Sequence, residues 1–226
     1  MKIVLTLICI IAPTAILAHG VDSATEQFLL NNKSVAILPF MYIGAKHMIT
    51  GYDHLLFLVG VIFFLYKSKD IIIYVSLFTM GHSLTLLIGV FNDIQVNPFI
   101  IDTIIGFSIV YKGFDNLGGF KKFFGIQPNT KVAVLIFGLF HGFGLATKLQ
   151  EFQLSQDGLI QNLLGFNIGV EMGQLLALGL VLIVLSFWRK FKSFHQFSTL
   201  SNTLLMSAGM VLVMFQLTGY YLSNLT

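Results

Sequence analysis

Between residues 51 and 222 the chain consists almost entirely of long apolar runs, and that pattern decides most of what it can fold into. A helix needs about 20 largely apolar residues to cross a hydrocarbon core of about 30 Å. Runs of this kind lie at about 51–66, 70–92, 98–116, 131–148, 159–188 and 200–222, the first of them short. They are continuous rather than alternating, which excludes a transmembrane β-barrel. The expected fold is all-α, a polytopic membrane helix bundle of about six transmembrane helices over residues 51–226. Composition leads the same way. Only 10% of the residues are charged and the mean hydropathy is +0.85, whereas a soluble domain carries about 25% charged residues. A water-soluble fold would have no core large enough for these side chains.

The N-terminus reads as a targeting segment. Lys2, the apolar run Ile3 to Leu17 and the small residue Ala18 predict a signal peptide over residues 1–18. Residues 19–50 are expected to form a periplasmic segment, in which 35–50, broken by Pro39 and Lys46, make a short interfacial or re-entrant helix. The single cysteine, Cys9, falls inside the signal peptide, so the mature chain would have no disulfide, thiolate metal site or cysteine nucleophile. A formal charge of +3 with scattered basic residues excludes nucleic acid as a partner and leaves the lipid bilayer. Nine basic residues, Lys67, Lys69, Lys112, Lys121, Lys122, Lys131, Arg189, Lys190 and Lys192, fall on one side if six helices alternate. The positive-inside rule then predicts a bacterial inner (cytoplasmic) membrane protein with both mature termini in the periplasm.

Small residues recur every four positions at Gly165, Gly169 and Gly173 and at Gly138, Gly142 and Ala146. That spacing lets helix backbones approach closely in lipid. Against this apolar background the ionisable residues inside the spans stand out, because each costs several kcal/mol unless paired or hydrated. They are His47, Asp53, His54, His82, Asp102, His141, Lys148 and Glu171, with Asp115 near a helix end. Imidazole and carboxylate together suit a divalent transition metal, whereas calcium or magnesium would favour oxygen donors alone. His47 and His54, seven residues apart, share a face if one helix runs through both, and Asp53 could orient a neighbouring ligand. Asp53 and Asp102 also have capping readings at helix starts. Asn167, Glu171 and Gln174 form a polar stripe roughly opposite the glycines of their helix, predicting a central helix buried on both sides. Thr79, His82 and Thr85 mark a similar face. These amides and threonines, with Lys148, are candidate supporting or pathway residues.

His47-x5-Asp53-His54 running into LLFLVGVIFFL, FTMGHSLTL around His82, FHG at 140–142 and FNIGVEMGQ around Glu171 together resemble the HupE/UreJ family of hydrogenase and urease accessory membrane proteins. The resemblance covers about residues 40–190 and implies a permease that supplies nickel or cobalt, with the histidine–aspartate–histidine cluster needed for transport. It also implies metalloenzyme maturation proteins as partners. Two positions depart from the family pattern. Lys148 stands where hydrogenase-associated members carry glutamate, and Asp102 where relatives often carry the longer carboxylate. A cation at 148 would repel a metal ion or pair with a carboxylate such as Glu171.

The resulting expectation is a permease for a divalent transition metal, nickel or cobalt first and copper, zinc or iron as alternatives. His47, Asp53 and His54 would capture the ion at the periplasmic mouth, and His82, Asp102, His141 and Glu171 would form the intramembrane site. A membrane metalloenzyme using the same cluster and a non-transporting accessory subunit are the competing readings. No HExxH motif and no nucleotide-binding loop occurs in the sequence.

Overall fold

The computed structural model describes residues 23–32, 34–151 and 157–225. The signal peptide expected at 1–18 lies outside them. All regular structure among the described residues is helical: α1 (Ser23–Asn31), α2 (Ile37–Thr50), α3 (Tyr52–Ile62), α4 (Ser68–Phe91), α5 (Pro98–Asn116), α6 (Thr130–Gln150), α7 (Leu159–Trp188) and α8 (Lys192–Ser223), with a π-helical turn at Phe120–Phe124. Helices α4, α6, α7 and α8 are each long and apolar enough to cross a membrane. The chain is thus an all-helical membrane protein.

Local chemistry sets several of the helix starts. The Asn97 side chain accepts from the Phe99 and Ile100 amides, with Pro98 in the first turn of α5. The Asn129 side chain accepts from the Lys131 and Val132 amides at the start of α6. Both satisfy amides that a helix start leaves without partners. Helix α2 is anchored from a distance, because Asn162 of α7 accepts from the Ala36 amide at 2.7 Å and donates to the Ser34 carbonyl at 3.1 Å.

Helices pair through the small-residue rows. Gly165, Gly169 and Gly173 of α7 sit against the carbonyls of Ile37, Met41 and Ala45 on α2, and a Cβ at any of them would fall within 3.0 Å of that oxygen. Residue numbers rise together on the two helices, so α2 and α7 run parallel. Gly138 faces Phe78, Gly142 faces the His82 carbonyl and Ala146 meets Gly89, which makes α4 and α6 parallel as well. Gly106 lies against Val213, and Gly113 against Met206 and Asn202, so α5 and α8 are antiparallel. With no hydrophobic driving force between helices in lipid, such backbone-close packing supplies much of the association.

These directions gather the start of α4, the end of α5, the start of α6 and the α7–α8 junction at one end of the bundle. Lys67, Lys69, Lys121, Lys122, Lys131, Lys190 and Lys192 belong to that basic end. Helices α2 and α3 together run the length of α7, from Ile37 at Gly165 to Ile62, whose carbonyl accepts from Arg189 at 2.7 Å. Gly51, with φ −74 and ψ 87, separates them. The segment read as an interfacial or re-entrant helix therefore accompanies α7 lengthwise and buries Phe40, Gly44 and Met48. At the basic end a polar lock joins three helices. Asn116 donates to the Gly60 carbonyl and to Asn202, each at 2.8 Å, beside the buried Lys112–Asp115 pair at 2.6 Å.

Candidate metal centre

The helix break at Gly51 builds the site. It ends α2 one turn after His47 and starts α3 just before Asp53 and His54, so both ends of the break point donors at one place. A Cβ at residue 51 would lie 2.9 Å from His54 Nδ1 and 3.4 Å from Asp53 Oδ1. Glycine is needed there because the side chains of its own neighbours occupy that space. Asp53 does not cap α3: its carboxylate meets His54 Nδ1 at 2.9 Å.

His54 is the hub. Its ring centroid lies 5.1 Å from His47, 5.8 Å from His82 and 4.8 Å from His141. His47, His54 and His82 each bring a ring nitrogen within 4.8 Å of the others, and Asp53, His54 and His141 do the same with a carboxylate oxygen and two ring nitrogens. Four helices, α2, α3, α4 and α6, supply these donors. His82 and His141 come to the same level because Gly142 rests on the His82 carbonyl. Thr85 fastens that contact by donating to the Leu139 carbonyl at 2.7 Å.

The hydrogen bonds fix which nitrogens are donors for a ligand. His141 Nδ1 lies 2.7 Å from the Phe137 carbonyl, which only accepts, so the proton is on Nδ1 and the lone pair on Nε2. Asp53 likewise holds the proton on His54 Nδ1, a carboxylate–imidazole arrangement that orients metal-ligating histidines. His54 Nε2 and both nitrogens of His82 are buried without a hydrogen-bond partner among the described residues. Each such orphan costs about 1–3 kcal/mol. A bundle that keeps three of them beside one another is built to have them filled, and a metal ion fits the donor set: nitrogen and oxygen ligands, buried, with an orienting carboxylate.

Toward the basic end the cluster is floored by phenylalanines. Phe57, Phe78 and Phe137, one turn on from His54, His82 and His141, are buried and touch, with Phe57–Phe78 centroids 5.7 Å apart and Phe57–Phe137 5.6 Å. Toward the opposite end a small cleft opens, lined by His47, Asp53, His54 and His141 and by Asp102 and Lys148. Lys148 Nζ donates to both Asp102 oxygens, at 3.1 and 3.4 Å. Lys148 therefore pairs with Asp102 rather than with Glu171, and Asn97, not Asp102, caps α5.

The remaining expected residues spread more widely. Glu171 is on the exposed face of α7, with Ile168, Met172 and Leu175, so this helix is not buried on both sides. Gln174 is fully buried and accepts from Thr79 at 2.9 Å, tying α7 to α4. Asn167 is half-buried and donates to its own helix at Leu163. Thr85 thus fastens two donor-bearing helices, α4 and α6, and Thr79 with Gln174 fastens α4 to α7. Sequence reasoning missed Gly51, the phenylalanine floor and Gln216, which donates to Asp102 at 3.3 Å. Only Gly51 left a signal, a glycine flanked by HMIT and YDH.

An all-helical membrane protein with a buried histidine–aspartate centre is the class that fold and site define. A family model described as HupE / UreJ protein matches residues 23–224. The chain belongs to the HupE/UreJ family, and the site is its candidate metal-binding group. Comparison with curated proteins and with solved structures gave no match.

Proposed function

We propose that this chain is an inner-membrane permease for a divalent transition metal, with nickel or cobalt as the cargo that family membership suggests. The observation that carries the reading is His54: a buried imidazole, oriented by Asp53, with three other imidazole rings within 5.8 Å of its own and its Nε2 unpartnered among the described residues. Six passes fit the helix directions. Helices α2 and α3 together count as the first, at about 35–40 Å of helix. Helix α5, whose 19 residues give about 28 Å, counts as the third despite Asp102, Lys112 and Asp115. The basic end is then cytoplasmic, and both the cleft and the mature termini face the periplasm.

In this reading an ion enters the cleft from the periplasm and exchanges its water for imidazole nitrogens at the level of His54. The phenylalanine floor closes the way inward until the helices shift. The membrane potential favours entry of a dication by about 4.6 kcal/mol per 100 mV, twice the value for one charge. Asp102, at the cleft mouth, and Glu171, on the exposed face of α7, stand apart from the central ligands.

Cells expressing the protein or its His54→Ala variant at equal levels, assayed for nickel, cobalt, copper, zinc and iron, test this. Accumulation of one metal by the wild type alone supports the permease. Equal accumulation by both, with metal retained on purified wild-type protein, would move the reading to a membrane metalloenzyme.

A further inference from the structure

The cleft that leads to the histidines already contains a cation, and it belongs to the chain itself. Lys148 follows His141 by seven residues on α6, two turns along the same face. Lys148 and Asp102 line the same cleft as His47, Asp53, His54 and His141. The pair is little exposed, 18% for the lysine side chain and 7% for the aspartate, and Gln216 holds the same carboxylate from α8. Asp102 is therefore a strong dication ligand already satisfied by a monovalent charge, in a place of low dielectric where like charges repel over several ångströms.

We propose that Lys148 is a tethered counter-cation that sets the affinity of the chamber: it keeps Asp102 out of the ligand set, and an arriving dication must displace the ammonium to gain that carboxylate. The inference rests on the metal-permease reading and deepens it. Its value to a permease is release. Conduction needs binding strong enough for the ion to enter and weak enough for it to leave. Four imidazoles and Asp53, joined in one buried chamber by an Asp102 released from Lys148, would hold a transition-metal dication too tightly to pass it on. A neighbouring ammonium lowers that affinity without removing a single imidazole.

Full-length protein in lipid nanodiscs, titrated with nickel chloride and cobalt chloride by calorimetry, tests the proposal. Lys148→Met should bind the better of the two at least about tenfold more tightly than wild type, and Lys148→Arg should bind as wild type does. Asp102→Asn, which leaves the ammonium without its partner, should bind more weakly. In the Asp102→Asn background the gain from Lys148→Met should shrink, because no carboxylate is freed. Lys148→Gln keeps a donor for Asp102 without the charge, and it carries the same prediction if the methionine variant does not fold. Wild type binding through His54, with folded charge-free variants binding no more tightly, would overturn the inference alone. No dication bound by wild type or by Lys148→Gln would overturn the metal-site reading and the inference with it.

Discussion

At the scale of residues, metal binding depends on what each buried polar atom has as a partner. His54 Nε2 is without one among the described residues, and Asp53 fixes the tautomer that leaves its lone pair there. His54→Ala should therefore abolish high-affinity binding of the transported metal. Asp53→Asn should keep the fold and weaken binding about 10–100-fold, the usual cost of losing a carboxylate behind a ligating histidine. Equilibrium dialysis against nickel and cobalt checks both, and equal affinity in Asp53→Asn would remove Asp53 from the site. The five central residues were legible in the sequence because ionisable groups are rare in this chain and expensive in lipid. Three others show where that signal stops. Glu171 has the depth of a site residue, yet it faces outward, because the glycine row opposite it is what α2 covers. Depth follows from position along a helix, whereas the direction a residue faces depends on which neighbour packs there. Lys148 and Asp102 are 46 positions apart, and nothing local announces that pair.

At the scale of elements, glycine decides how near two helices come. Gly169 and Gly179 lie on the same helix, but a Cβ at 169 would strike the Met41 backbone, while a Cβ at 179 would meet nothing within 4 Å. Gly169→Ala should lower stability by about 1–3 kcal/mol through overpacking. Gly179→Ala should be neutral or slightly stabilising through helix propensity. Unfolding of the purified protein in mixed micelles distinguishes them, and equal effects would contradict the α2–α7 packing. The four-residue spacing of small residues predicted close packing from the sequence, and the structure adds the partners, α2 for one row and α4 for the other. The break at Gly51 was harder to read. An apolar run interrupted by Pro39, Lys46 and glycine resembles an interfacial segment followed by a short span. What joins the two pieces is tertiary: α2 packs along α7, Asn162 fastens its start there, and Arg189 just past the end of α7 donates to the Ile62 and Phe63 carbonyls at the end of α3.

At the scale of the whole molecule, the helix directions place the histidine centre between the cleft that Asp102 and Lys148 help to line and the phenylalanine floor. Orientation can be read chemically, because Cys9 is the only cysteine in the sequence. In a variant without it, a cysteine at Lys121 should react with an impermeant maleimide only from the cytoplasmic side, and one at Asn224 only from the periplasmic side. Reaction of both from one side would contradict the alternation of passes. The central claim, that the histidine cluster passes a dication across the bilayer, is tested most directly with purified protein in sealed liposomes under an inside-negative potential. Influx of nickel or cobalt would be followed with a trapped metal-sensitive dye. The account predicts influx for wild type and for Glu171→Ala, whose side chain lies outside the cluster, and none for His54→Ala. Influx that persists in folded His54→Ala, or is absent from wild type for every divalent transition metal tried, would contradict it.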